Sequence, residues 1–192
     1  MARLALLLAP LLAAGCMQTG TSAFSTAERQ VAGQRLGFVA EAVCLNNTTR
    51  SGQRRAATAL DFPVRQREDG AEIFVNPGTL TFLRLGPVPE QGITVDGTRT
   101  VIPGRQGCSV GSPAVNTREA NAIAGNILAP RLVDGSDILA APIGAGLNQD
   151  GGAGFFFRNL AVTTPGARTT FTNDETGEAL AFDHPVILIV HY

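Results

Sequence analysis

Val186-Ile187-Leu188-Ile189-Val190, close to the end of the 192-residue chain, is apolar at five consecutive positions. Successive side chains on a strand point to opposite faces, so a run with no polar alternate must bury both of its faces. This predicts a central strand from Val186 to His191, in a sheet covered on each side. Working back from it, apolar runs bounded by Gly, Pro and Asn predict strands at Ile73 to Val75, Thr79 to Leu85, Ile138 to Ala141, Gly154 to Thr163, Arg168 to Thr172 and Glu178 to Phe182. Ala57 to Phe62, ending at Pro63, reads as a further strand. Val95-Asp96-Gly97-Thr98 carries the Asp-Gly pair of a type I′ turn, which joins Gly92 to Val95 with Thr98 to Ile102 as a hairpin. Asn173 to Gly177 reads as a second hairpin loop.

Two segments have helical character. Ser25-Thr26-Ala27-Glu28 has the form of a capping box, and Ala32, Leu36, Val39 and Val43 follow at helical spacing with Gln30, Gln34 and Glu41 on the other side. A helix over about 26 to 45 follows, stopped at Asn46-Asn47. Asn116-Thr117-Arg118-Glu119 repeats the cap before a shorter helix that runs to about Leu128 and is ended by Pro130. The expected fold is mainly β (α+β): an antiparallel β-sandwich or open barrel with an N-terminal helix and one short internal helix.

All fifteen basic residues are arginine. A chain without lysine has no Walker-type phosphate loop, no kinase lysine and no lysine Schiff base. A formal net charge of −1 argues against a general nucleic-acid binder, which needs a basic excess to displace counterions. Anion recognition therefore has to be local. Arg50, Arg54, Arg55, Arg65 and Arg67 stand against the single acid Asp61 over residues 50 to 67, a net +4 that Glu68 and Asp69 then halve. Guanidinium forks bind phosphate and carboxylate bidentately, so this segment is a candidate anion or partner patch. Its plainer reading is a solvated, salt-bridged loop.

The first residues read as an address. Met1-Ala2-Arg3 is a short positive segment, and the apolar run from Leu4 to Ala14, broken by Pro10, is shorter than a bilayer-spanning helix. It ends in Leu12-Ala13-Ala14-Gly15-Cys16, which resembles the lipobox of bacterial lipoproteins, although Ala13 stands at the position where that pattern prefers Leu. The resemblance covers residues 1 to 16 alone. It implies a signal peptide over 1–15, cleavage before Cys16, acylation of that cysteine, and a lipidated tether over 16–25 that leads into a single β-rich domain over 26–192. Met17, rather than Asp, after the cysteine implies the outer membrane by the same resemblance, with the domain facing the periplasm. The covalent lipid on Cys16 is the only attached group expected. The remaining Cys44 and Cys108 then lie in an oxidising compartment and are expected to pair.

Reactive motifs are sparse. Gly107-Cys108-Ser109-Val110-Gly111 fits G-x-S-x-G, and a hydrolase reading takes Ser109 as nucleophile with Asp134 or Asp150 and His184 as partners. No βαβ rhythm surrounds the motif, and it reads more simply as a turn. With only His184 and His191 in the chain, a multi-histidine metal site cannot be built. Asp134 to Asp137 and Asn148 to Gly154 gather oxygen ligands without completing a calcium loop, and Gly144-Ala145-Gly146 lacks the rest of a dinucleotide fingerprint. Phe155-Phe156-Phe157 should place rings on both faces of a strand, and an exposed Phe156 would mark a contact surface. The resulting expectation is a non-catalytic envelope lipoprotein that binds an envelope protein or glycan. The alternatives are a lipid-anchored serine hydrolase using Ser109 and His184, or a carrier of a small ligand or glycan.

Overall fold

A computed structural model describes residues 23–60, 62–95, 98–133, 139, 142–147, 151–173 and 175–192. Cys16 with its signal segment, the Asp96-Gly97 turn, Asp134 to Ile138, and Asn148 to Asp150 lie outside the described residues. The fold is mainly β. Its centre is an eight-stranded antiparallel sheet in the order β1-β2-β3-β6-β12-β9-β8-β7. The strands are β1 (Val64–Glu68), β2 (Ala71–Asn76), β3 (Thr81–Val88), β6 (Arg105–Gly111), β7 (Pro142–Leu147), β8 (Ala153–Phe157), β9 (Leu160–Thr163) and β12 (Val186–His191). Two separate ribbons pair β4 (Gln91–Val95) with β5 (Thr98–Ile102), and β10 (Thr169–Thr172) with β11 (Ala179–Phe182).

β12 is flanked by β6 and β9, and Val186 through Val190 are all buried. Ile187 and Ile189 join Val110, Cys108, Leu83 and Val162 in the core beneath the helices. Val186, Leu188 and Val190 join a second cluster on the opposite face, with Phe156, Ala161, Ile102 and Phe182. The unbroken apolar run therefore buries both of its faces. The three phenylalanines divide in the same way: Phe155 and Phe157 belong to the helix side, and Phe156, 6% exposed, belongs to the other. Phe156 is thus a packing residue.

α1 (Thr26–Val39) starts at the capping box, with Ser25 Oγ accepting from Glu28 N at 3.2 Å and Glu28 Oε2 accepting from Ser25 N at 2.7 Å. It continues as a π-helical turn over Ala40–Leu45, closed by Asn47, whose amide donates to the carbonyls of Ala42 and Val43. The turn carries Cys44 onto the sheet, where it is bonded to Cys108 of β6 with a Cα–Cα distance of 5.4 Å.

Several sequence expectations are corrected. Ala57 to Phe62 does not begin as a strand: α2 (Arg50–Ala59) takes its first three residues, with Leu60 as its C-cap, and is capped at its start by Thr49 Oγ1 accepting from Gly52 N; Asp61 lies outside the described residues. Alanine is the best helix former, and Ala56, Ala57 and Ala59 follow that preference once a cap is present. The second helix does not stop at Pro130. α3 (Thr117–Val133) carries that proline inside it, because Arg131 donates to Glu41 Oε1 at 2.7 Å and to Asn46 Oδ1 at 2.8 Å, tying the last turn to the π-helical segment. Gly154 to Thr163 is two strands, β8 and β9, which turn back at Arg158-Asn159. β1, β6 and β7 lie where no strand was expected. Among the described residues, no helix is long and apolar enough to cross a membrane.

Candidate functional site

The strand β2 carries the residue that organises the site. Glu72 shares its face with Phe74 and points toward the helices, and it is only 3% exposed. A carboxylate so deeply placed needs partners, because an unpaired buried charge is strongly disfavoured. Three arginines supply them. Arg54 of α2 donates to Glu72 Oε1, Arg65 of β1 donates to Oε2 at 2.5 Å, and Arg50, one turn before Arg54, stands 3.6 Å from Oε1. Arg65 also lies over the Phe74 ring, 4.9 Å from its centroid, so its guanidinium is fixed from a second side. These cations hold the Glu72 carboxyl below its ordinary value against the opposing effect of burial.

Arg50 is the least satisfied member. Its side chain is 21% exposed, and besides its 3.6 Å approach to Glu72 it donates a long hydrogen bond, 3.4 Å, to Gln106 Oε1. Burial is the main cause lowering its pKa; the neighbouring Arg54 adds to this and Glu72 opposes it. Arg84 of β3 is also lowered, by burial first and then by Arg50, with Asp69 opposing.

Two open cavities meet at Arg50 and Gln106. The first, about 590 Å³, runs between α2 and the β1–β2 turn, with Arg54, Arg67, Asp69 and Glu72 among its walls. The second, about 510 Å³, is bordered by Thr48, Gln53, Arg105, Glu178 and His191. His191 Nε2 lies 2.9 Å from the Cys44 carbonyl oxygen, which can only accept, so Nε2 carries the hydrogen. Burial lowers the pKa of this histidine, which favours a neutral ring whose Nδ1 is an acceptor.

The structure gathers four of the five patch arginines. Arg50, Arg54 and Arg65 surround Glu72, and Arg67 is the cross-strand partner of Glu72 in the β1–β2 ladder. Arg55 is exposed and forms no ion pair among the described residues. The segment is a helix and a strand rather than a loop. Glu72, Gln106 and Arg105 were not singled out in the sequence, although a glutamate in phase with Phe74 on an apolar strand was a readable signal.

The G-x-S-x-G segment is not a turn but the C-terminal part of β6. Ser109 is 1% exposed and lies between Arg84 of β3 and Leu188 of β12 in the ladders. His184 is exposed, beside Phe82 at a ring distance of 6.2 Å. It precedes the residue paired with Ser109 by four positions, roughly 13 Å at strand rise. The sheet therefore does not bring the two side chains together. The glycines of the motif have packing roles: a Cβ on Gly107 would overlap Val88 Cγ2, and one on Gly111 would approach Val186 Cγ1 to 2.7 Å. Among the described residues no group of three or more His, Cys, Asp or Glu is placed to hold a metal.

Compared with protein-family models, curated proteins and solved structures, the chain matches none of them.

Proposed function

We propose that this is a lipid-anchored, non-catalytic binding component of the bacterial envelope. Acyl groups on Cys16 hold it in the outer membrane facing the periplasm, and the arginine cleft engages an acidic group on another envelope component, protein or glycan. The lipobox-like segment supports the anchor. Two or more buried acyl chains give stable attachment where one chain gives only marginal binding. The observation that carries the binding role is the surplus of guanidinium groups around Glu72: one carboxylate faces three arginines, and Arg50, 3.6 Å from Oε1, is held less closely than Arg54 and Arg65.

The test is photo-crosslinking in cells from an unnatural residue placed at Glu68, on the border of the same cavity, in the wild-type background and with Arg50→Gln and Arg54→Gln. The expected result is a discrete product in the outer-membrane fraction that disappears in the double variant. Products that are the same in both backgrounds would refute the assignment of the cleft, and recovery of the protein as an unacylated soluble chain would refute the anchor.

A further inference from the structure

The two cavities that share Arg50 differ in chemistry, and that difference narrows the ligand. This deepens the reading of the cleft given above and rests on it. In the first cavity, the cations Arg50, Arg54 and Arg67 converge near a carboxylate whose two oxygens are already taken by Arg54 and Arg65. Glu68 and Asp69 also border it. Glu68 lies on the other face of β1 from Arg67, and Asp69 offsets the charge of Arg84. An oxyanion with several oxygens would accept from Arg50, Arg54 and Arg67 without displacing the bonds to Glu72. Tetrahedral phosphate has the oxygens for such a bidentate and bridging arrangement.

The second cavity is of another kind. Thr48 and Gln53 offer neutral polar groups, Glu178 and neutral His191 offer acceptors, and among the described residues Arg105 is the cation that lines it besides Arg50. The Glu178 carboxylate and the neutral His191 ring take hydrogen bonds from hydroxyls. Pro87 and Val88 give the same wall an apolar surface on which a ring can rest.

We propose that the paired cavities bind a phosphorylated sugar, with the phosphate held by Arg50, Arg54 and Arg67 and the hydroxyl-bearing ring seated against Thr48, Glu178 and His191. Arg50 and Gln106 stand at the junction between the two groups. Such a ligand has two sources, a free sugar phosphate or the phosphorylated saccharide of a membrane glycolipid.

The test is calorimetric titration of the full chain in non-ionic detergent with inorganic phosphate, glucose and glucose 1-phosphate. Glucose 1-phosphate should bind about tenfold or more tightly than phosphate, with glucose weaker than both. Arg50→Gln should weaken both phosphate-bearing probes about tenfold or more, while Thr48→Val should weaken only glucose 1-phosphate. Each variant is checked for an unchanged near-ultraviolet dichroism spectrum, and Arg55→Gln serves as the surface-arginine control with wild-type binding. Lipopolysaccharide, intact or phosphatase-treated, separates the sources: competition lost on dephosphorylation assigns a glycolipid, and no competition by either form assigns a free sugar phosphate. Equal affinity for phosphate and glucose 1-phosphate overturns the sugar assignment, and binding of neither overturns the site. Either failure leaves the Cys16 anchor and the crosslinking result standing, so it is distinct from failure of the envelope role.

Discussion

Replacing Glu72 by glutamine removes the negative charge at the centre of the arginine cluster while preserving its shape. Charge-assisted hydrogen bonds are worth about 1.5–3 kcal/mol each, and the wild type has two of them, from Arg54 and Arg65. Both guanidiniums are close to half exposed, at 47% and 41%, so solvent screening reduces the sum. The amide keeps one accepting oxygen but turns its NH₂ toward cations. The net loss should be about 2–3 kcal/mol, which lowers the melting temperature by about 4–12 °C for a domain of this size. The pH dependence has a definite sign. The Glu72 carboxyl is depressed in the folded state, so its stabilisation is fully present above its unfolded value of about 4.3 and is lost as pH falls through the lower folded value. Melting curves of wild type and E72Q recorded from neutral pH downward should therefore converge in acid. A variant that melts within about 1 °C of wild type at pH 7, or a gap that persists unchanged below the folded pKa, would refute the description of Glu72 as the keystone of the cluster.

The disulfide joins residues 64 positions apart, and its removal by Cys44→Ala with Cys108→Ala should lose about 4 kcal/mol in the chain-entropy model. Equilibrium denaturation in urea reads this directly, and a loss under about 1 kcal/mol would contradict the model for this loop. Gly107→Ala should destabilise by about 1–3 kcal/mol through overpacking, because the added methyl overlaps Val88 and presses Leu188 Cδ1 at 3.1 Å, both buried. A neutral melting shift for that variant would return the G-x-S-x-G glycines to a role other than packing.

The parts of the fold that were legible are those where local chemistry and tertiary environment agree. The five apolar residues of β12 could only sit at the centre of a covered sheet, and the boxes at Ser25 and Asn116 cap real helices. The elements that were misread depend on distant partners. Pro130 would end an isolated helix, yet Glu41 and Asn46 hold Arg131 in the following turn. Ala57 to Phe62 has strand-like brevity and helix-like composition, and only the Thr49 cap decides between them. At the site, the arginines were visible as a charge run, but their convergence was not. It arises because α2 and the β1–β2 hairpin fold over the same face, and because β2 points a glutamate inward where its neighbours are apolar. Arg55 shows the same limit from the other side: adjacent to Arg54 in sequence, it lies on another face of α2.

The most direct measurement is the intact mass of the protein extracted from membranes of cells that make it, taken with and without reductant. The expected spectrum is a chain beginning at Cys16 with an acyl-sized excess, which gains the mass of two hydrogens when the Cys44–Cys108 bond is reduced. An unmodified chain recovered from the soluble fraction would contradict the anchored envelope role and leave the arginine cleft without the membrane surface it is proposed to serve.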